Sequence, residues 1–180
     1  MGDGAGTALN YSRSVESMKC LNGSYAICLE AKRQNPELII VARTLHTDYG
    51  MLDCPQDWNY GAPETWWAAV KNHLPDGFDA YEIQNECGPP PQGYAYWAQW
   101  NISIAKLVQR DKNGILLAFA FAAGNPDYPH WPDLVEYFRW VAQNPLPDGR
   151  YHGLALHAAA NATWERSDSP WVNNPHLTAD

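Results

Sequence analysis

Charge is scarce in this 180-residue chain: Asp, Glu, Lys and Arg together make up 18% of it, and the balance is a formal −8. No basic stripe offsets that sign, and phosphate backbones repel an acidic surface, so nucleic acid is excluded as a partner. Lys32-Arg33 and Arg110-Asp111-Lys112 are short and fall near predicted helix ends, where solvated cations are the ordinary expectation. Nowhere do eighteen apolar residues follow one another, which excludes a membrane-spanning helix by sequence. The first fourteen residues, MGDGAGTALNYSRS, hold no apolar run resembling a secretion signal. The expectation is a soluble chain whose compartment stays open, extracellular if a leader has been removed and otherwise cytoplasmic.

The four cysteines, Cys20, Cys28, Cys54 and Cys87, lack the CxxC spacing of zinc or redox sites, and the histidines supply no complementary pair. They read as free thiols, Cys87 as a small buried residue. No metal and no organic cofactor is called for. Neither a GxSxG elbow nor a phosphate-binding glycine loop occurs, which argues against an unrelated small α/β hydrolase. GDGAG at 2–6 follows no predicted strand and reads as part of a flexible terminus over 1–14.

What is plentiful is aromatic: nine Trp and ten Tyr. Rings with a polar handle suit a large core or a partly wet sugar cleft. Short apolar runs alternate with longer amphipathic ones, the signature of strand and helix units around a parallel sheet. LIIVART at 38–44 is β-branched and too short for a helix. Pro63 fits a first helical residue, and Trp66, Trp67 and Val70 give that helix, ending near His73, an apolar side. A strand over 78–84 ends at Asn85-Glu86. Trp97, Trp100, Ile104 and Leu107 then mark a helix over 94–110. ILLAFAFA at 115–122 predicts a buried strand, and 134–143 a helix with Val135, Phe138 and Val141 turned inward. A short strand follows at 153–157, and at the start 15–21 and 24–34 read as one further strand and helix. Residues 161–180 have no periodicity and form an irregular tail. Asn161-Ala162-Thr163 within it fits a glycosylation acceptor.

In such folds the loops after the strands share one rim, where functional groups gather. Those ends carry Arg43, His46 and Asp48, then Asn85 and Glu86, then Asn125 and Asp127, then His157. A carboxyl and an amide leaving one strand together can both face a sugar, the acid protonating a glycosidic oxygen while the amide holds a neighbouring hydroxyl. Arg43 could hydrogen-bond a carboxylate of the site, and His157 could contact a hydroxyl or orient a second carboxyl. Each also has a plain structural explanation, as an ion pair or a satisfied core residue. Glu82, four residues before Glu86 on a straight strand at about 3.3 Å per residue, is expected more than about 10 Å from it.

The Asn85-Glu86 pair at a strand end, with Arg43 ending the strand before and His157 ending one two units later, resembles the clan A glycoside hydrolases. The resemblance implies a partial or truncated TIM-type (β/α) barrel of about five to six units over 15–160. Within it, 38–44 becomes the third strand, 115–122 the fifth and LALH the sixth. Glu86 becomes the acid/base catalyst, Asn85 the residue that binds the sugar hydroxyl beside the anomeric carbon, and His157 a strand-six position that often faces the nucleophile. Arg43 matches loosely, since the family's arginine lies one strand earlier.

Nothing after His157 resembles a seventh or eighth strand and nothing before Val15 a first, so the family's nucleophile has no matching position. Glu165 or Asp168 in the tail, a second copy of the chain, or a longer enzyme could supply that carboxylate. Trp58, Tyr60, Trp131 and Trp164 fall in predicted rim loops and are candidate sugar contacts. The expected partner is a β-linked carbohydrate, with self-association across the bare edges of an open sheet. The alternative is a remnant of such a barrel that binds carbohydrate without cutting it.

Overall fold

The computed structural model describes residues 15–21, 23–43, 61–121 and 126–157. Five strands, β1 (Ser17–Cys20), β2 (Ile39–Arg43), β3 (Ala80–Glu82), β4 (Ile115–Phe121) and β5 (Gly153–Leu156), alternate with four helices, α1 (Tyr25–Gln34), α2 (Pro63–Val70), α3 (Tyr94–Lys112) and α4 (Val135–Gln143). The strands lie side by side in sequence order, β1-β2-β3-β4-β5, and every neighbouring pair is parallel. Each crossover therefore advances one strand in the same direction. A doubly wound sheet reverses its order at a switch point; this one never does, and matches an open, truncated (β/α)-barrel-like architecture. Among the described residues β1 and β5 are its two edges.

Sequence and structure agree closely on where these elements lie. β2 forms because Ile39, Ile40 and Val41 are β-branched and follow the stop at Asn35-Pro36; Ile40 and Ala42 are fully buried. Pro63 starts α2, where its missing N–H costs nothing, and a 3₁₀ turn over Lys71–His73 extends the helix to the predicted end. α3 ends at Asn113 in the left-handed conformation, φ 51°. Gly114 follows because a Cβ there would lie 2.5 Å from the Tyr81 ring.

Trp66, Trp67, Trp97 and Trp100 are buried packing residues between helices and sheet. Trp97 is the hub, meeting Phe119 and Phe121 edge-on at centroid distances of 5.1 and 5.4 Å. Asp111 ties α2 to α3 by accepting from Trp67 Nε1 at 2.8 Å and Lys71 Nζ at 3.2 Å. Asp79, just before β3, accepts from the Ile40 amide at 2.9 Å and from Lys32 at 3.2 Å.

Several expectations are corrected. The cysteines are not free thiols: Cys20 and Cys28 form a disulfide between the end of β1 and the first turn of α1, and Cys87 is disulfide-bonded as well. In α4 the inward residue is Tyr137, whose hydroxyl donates to Gly153 O at 2.8 Å, while Val135 and Phe138 are exposed. The buried face runs through Leu134, Tyr137 and Val141, at spacings of three and four, so the helix is rotated from its expected phase. The cations near helix ends are not all solvated, since Lys112 is largely buried and donates to Leu74 O and Asp76. The proposed 1–14 terminus and 161–180 tail lie outside the described residues.

β4 also departs from a plain strand. Phe119 and Ala120 have φ of 68° and 44°, and the β4–β5 register shifts between Ala118 and Phe121. This is a bulge, and two consecutive non-glycine residues in the left-handed region cost on the order of 1–2 kcal/mol each. The turned peptides face the chain leaving β3: Phe119 N donates to Gln84 Oε1 at 3.2 Å, and Ala120 O accepts from Glu86 N at 2.9 Å.

Candidate functional site

The C-terminal ends of four strands meet around one side chain, Glu82, the last residue of β3. A charged residue in a buried strand needs partners, and Glu82, 1% exposed, has three. Lys19 from β1 reaches Oε2 at 2.6 Å; Arg43, ending β2, brings Nε within 3.3 Å of Oε1; and His157, just past β5, places Nε2 at 2.9 Å from the same oxygen. The Arg43 contact is an ion pair without hydrogen-bond alignment at Nε. Two cations and an imidazole on one buried carboxylate offset its desolvation.

Beyond Glu82 the strand pairing stops. The chain continues through Ile83 and Gln84, both buried, to Asn85 and then Glu86, which sits at φ 53°. That left-handed turn, anchored on the β4 bulge, directs Glu86 back over the strand ends, and its side chain is 50% exposed. His157 Nδ1 lies 2.9 Å from Glu86 Oε1. One imidazole ring and two hydrogen bonds thus span the two carboxylates. The separation of more than about 10 Å expected for a straight strand does not apply to the carboxyl oxygens, because the strand ends at Glu82 and the chain then turns.

His157 is held at both ends of the ring and by its backbone, whose N–H donates to Phe121 O at 2.8 Å; the side chain is 12% exposed. Arg43 Nη2 donates to Asn85 Oδ1, and Arg43 O accepts from Tyr25 Oη at 2.7 Å. Arg43 therefore binds both neighbours of the turn, Glu82 and Asn85, and orients the amide beside Glu86. The result is a half-open carboxyl backed by a buried, charged and hydrogen-bonded layer.

Six of the candidate residues fall within the described chain, Asp127 as the residue that precedes the 3₁₀ segment Tyr128–Leu134. Arg43, Asn85, Glu86 and His157 come together. Trp131 lies in the 3₁₀ segment Tyr128–Leu134 after β4, half-buried, with its ring 6.0 Å from Phe121 and 6.5 Å from Phe138. Its ring packs edge-on against Phe121 and stacks on Phe138. His46, Trp58, Tyr60, Trp164, Glu165 and Asp168 lie outside the described residues, as do Asp48 and Asn125. Glu82, which straight-strand spacing sets aside, and Lys19, which sequence reasoning missed, are the further members. A carboxylate inside the apolar run FDAYEI was the available signal for the first.

An open concavity lined by Arg33, Gln34, Asn35 and Pro36 lies where α1 hands over to β2, at the other end of the strands. No group of three or more His, Cys, Asp or Glu among the described residues could hold a metal ion. No helix among them is long and apolar enough to cross a membrane. Comparison with protein-family models, curated proteins and solved structures gave no match. The class defined by the fold is a truncated (β/α)-barrel-like α/β protein, an architecture shared by enzymes of many chemistries.

Proposed function

We propose that the chain is a glycoside hydrolase acting on a β-linked polysaccharide or oligosaccharide, with Glu86 as general acid/base. One observation supports this above others: a half-exposed carboxyl, 2.9 Å from an imidazole nitrogen, beside an oriented amide at the C-terminal ends of parallel strands. A proton donor to a glycosidic oxygen must face solvent on one side and be held on the other. Asn85, fixed by Arg43, would take the hydroxyl next to the anomeric carbon. His46, Trp58, Tyr60, Trp131 and Trp164 are the proposed sugar contacts. The reaction needs no metal or organic cofactor.

Glycoside hydrolysis uses two carboxyls, about 5–5.5 Å apart for retention and about 6.5–9.5 Å for inversion. Glu165, Asp168 or a second copy of the chain is proposed to supply the partner, and the sheet edges that β1 and β5 form among the described residues favour the copy. Gel filtration should then give a dimer or larger species; a strict monomer that still unfolds cooperatively and cleaves would exclude it. The disulfides suit an oxidising compartment.

The test is the appearance of reducing ends from soluble β-glucan, xylan and mannan. Glu86→Gln should reduce the rate by about 100-fold or more while leaving the thermal transition in place. Unchanged turnover would remove Glu86 from the mechanism.

A second reading, a barrel remnant that binds carbohydrate without cutting it, is favoured by the state of Glu82. The carboxylate linked to Glu86 through His157 is buried and already engaged by Lys19 and Arg43. Retarded migration in gels containing these glycans, with no reducing ends, would select it.

A further inference from the structure

We propose that Glu82 and His157 form a proton relay behind Glu86, in which the buried carboxylate fixes the ring proton on Nε2 and Nδ1 shares a second proton with Glu86. The inference rests on reading Glu86 as the proton donor and assigns Glu82 and His157 to it as positioning residues.

The proton count follows from donors and acceptors. Both ring nitrogens of His157 lie 2.9 Å from a carboxyl oxygen. A neutral imidazole offers one N–H and one lone pair, and a carboxylate offers only lone pairs. Two short contacts to two carboxylates with a single proton would set lone pair against lone pair on one side. The trio therefore holds two protons.

Their placement follows from the surroundings. Glu82 also faces Lys19 from β1 at 2.6 Å and Arg43 from β2 at 3.3 Å, the charged groups that contact it besides His157 among the described residues. It is the anion that both cations face, so Nε2 carries its proton and donates. Glu86, half in solvent, has His157 as its one ion-pair contact among the described residues. The second proton thus lies between Nδ1 and Glu86 Oε1, on either atom. When Glu86 gives it to an acceptor oxygen, the Glu86 O–H bond breaks and its electron pair stays as carboxylate. The imidazole is then neutral, with its one proton still on Nε2 and donated to Glu82.

The arrangement matters because Glu86 is otherwise an ordinary half-exposed acid. A ring held at 12% exposure by a buried carboxylate gives it a fixed partner.

The experiment is nitrogen NMR of the histidine rings in the ¹⁵N-labelled full chain without sugar, with His157 assigned by its loss in His157→Gln. The wild-type ring should show Nε2 protonated and Nδ1 between its protonated and bare positions. In Glu86→Gln, a change at an exposed side chain that leaves the fold intact, Nδ1 should move to the bare position while Nε2 keeps its proton. Glu82→Gln should release the Nε2 proton and mix the two tautomers.

A bare Nδ1 in the wild type, or a ring unchanged by Glu86→Gln, overturns the relay. Because no glycan is present, failure of the protein to cleave glycans would sink the hydrolase reading and leave this result standing. Cleavage with a bare Nδ1 would do the reverse.

Discussion

Glu86 and Ala120 are joined backbone to backbone, the Glu86 N–H donating to Ala120 O at 2.9 Å, and both residues sit at positive φ. Neither is glycine, so each holds an unfavourable conformation in place of a simpler path. The gain is directional. If β4 ran straight it would offer the chain leaving β3 another ladder rung, and Glu86 would continue along the strand. The bulge instead offers a carbonyl that accepts from the turn and an amide, Phe119 N, that binds Gln84. Strain in one strand sets where the carboxyl of its neighbour points.

Relieving that strain should be measurable. Ala120→Gly removes the Cβ that disfavours φ 44° but frees the unfolded chain, and the two effects leave a net gain of up to about 1 kcal/mol. Ala120→Val, β-branched and in a fully buried site, should instead destabilise by about 2 kcal/mol or more. Urea unfolding of the three proteins gives both numbers. A glycine variant weaker than wild type by more than about 1 kcal/mol would show that the left-handed conformation is not what the site holds.

This strain is also where the sequence was least informative. The strands and helices were legible because β-branched runs, Pro63, the Asn35-Pro36 stop and the spacing of Trp97, Trp100, Ile104 and Leu107 are local signals. Nothing local marks Phe119 and Ala120, which sit in an unbroken apolar run with no glycine; their conformation is imposed by Trp97 on one side and the chain after β3 on the other. The phase of α4 was readable in principle from Leu134, Tyr137 and Val141, but Val135 and Phe138 compete as an equally apolar face. The Cys20–Cys28 pair is illegible in the sequence for a different reason. Its eight-residue separation fits no metal spacing, and only the fold shows that β1 ends against the first turn of α1. Straight-strand geometry separates Glu82 from Glu86, and the turn at Glu86 overrides it.

His152 gives the fold an acid limit. Its ring is 3% exposed, stacked on Trp140 at 5.5 Å, and its Nδ1 accepts from the Leu116 amide at 2.9 Å. The proton therefore sits on Nε2, a buried atom with no partner among the described residues. Burial pushes the group down to about 4 from its ordinary 6.5. Because the folded value is depressed, the unfolded chain binds the extra proton first. The contribution is whole above about pH 6.5 and is lost as pH falls through 6.5 toward 4, by about 2 kcal/mol at pH 5. Protonation would also take the lone pair that the Leu116 amide uses. Chemical denaturation at pH 7 and pH 5 should show this slope, and His152→Gln, which keeps an acceptor but does not titrate, should flatten it. Equal slopes in the two proteins would remove His152 as the cause.

The Cys20–Cys28 disulfide should stabilise the β1 edge of the sheet. Both residues are buried, at 1% and 3% exposure, and β1 is an edge strand of four residues with one ladder partner among the described residues. An edge that short is weakly held by hydrogen bonds alone. Loop-closure entropy for a bridge between residues eight apart comes to about 2–3 kcal/mol. Lys19 rides on β1, so fraying of this strand would also withdraw a cation from Glu82. Cys20→Ala combined with Cys28→Ala should lower stability by about 2–3 kcal/mol and raise hydrogen exchange in β1 more than in β3. A uniform rise across the sheet would show that the bridge acts on the whole unfolded chain, with no special role at this edge.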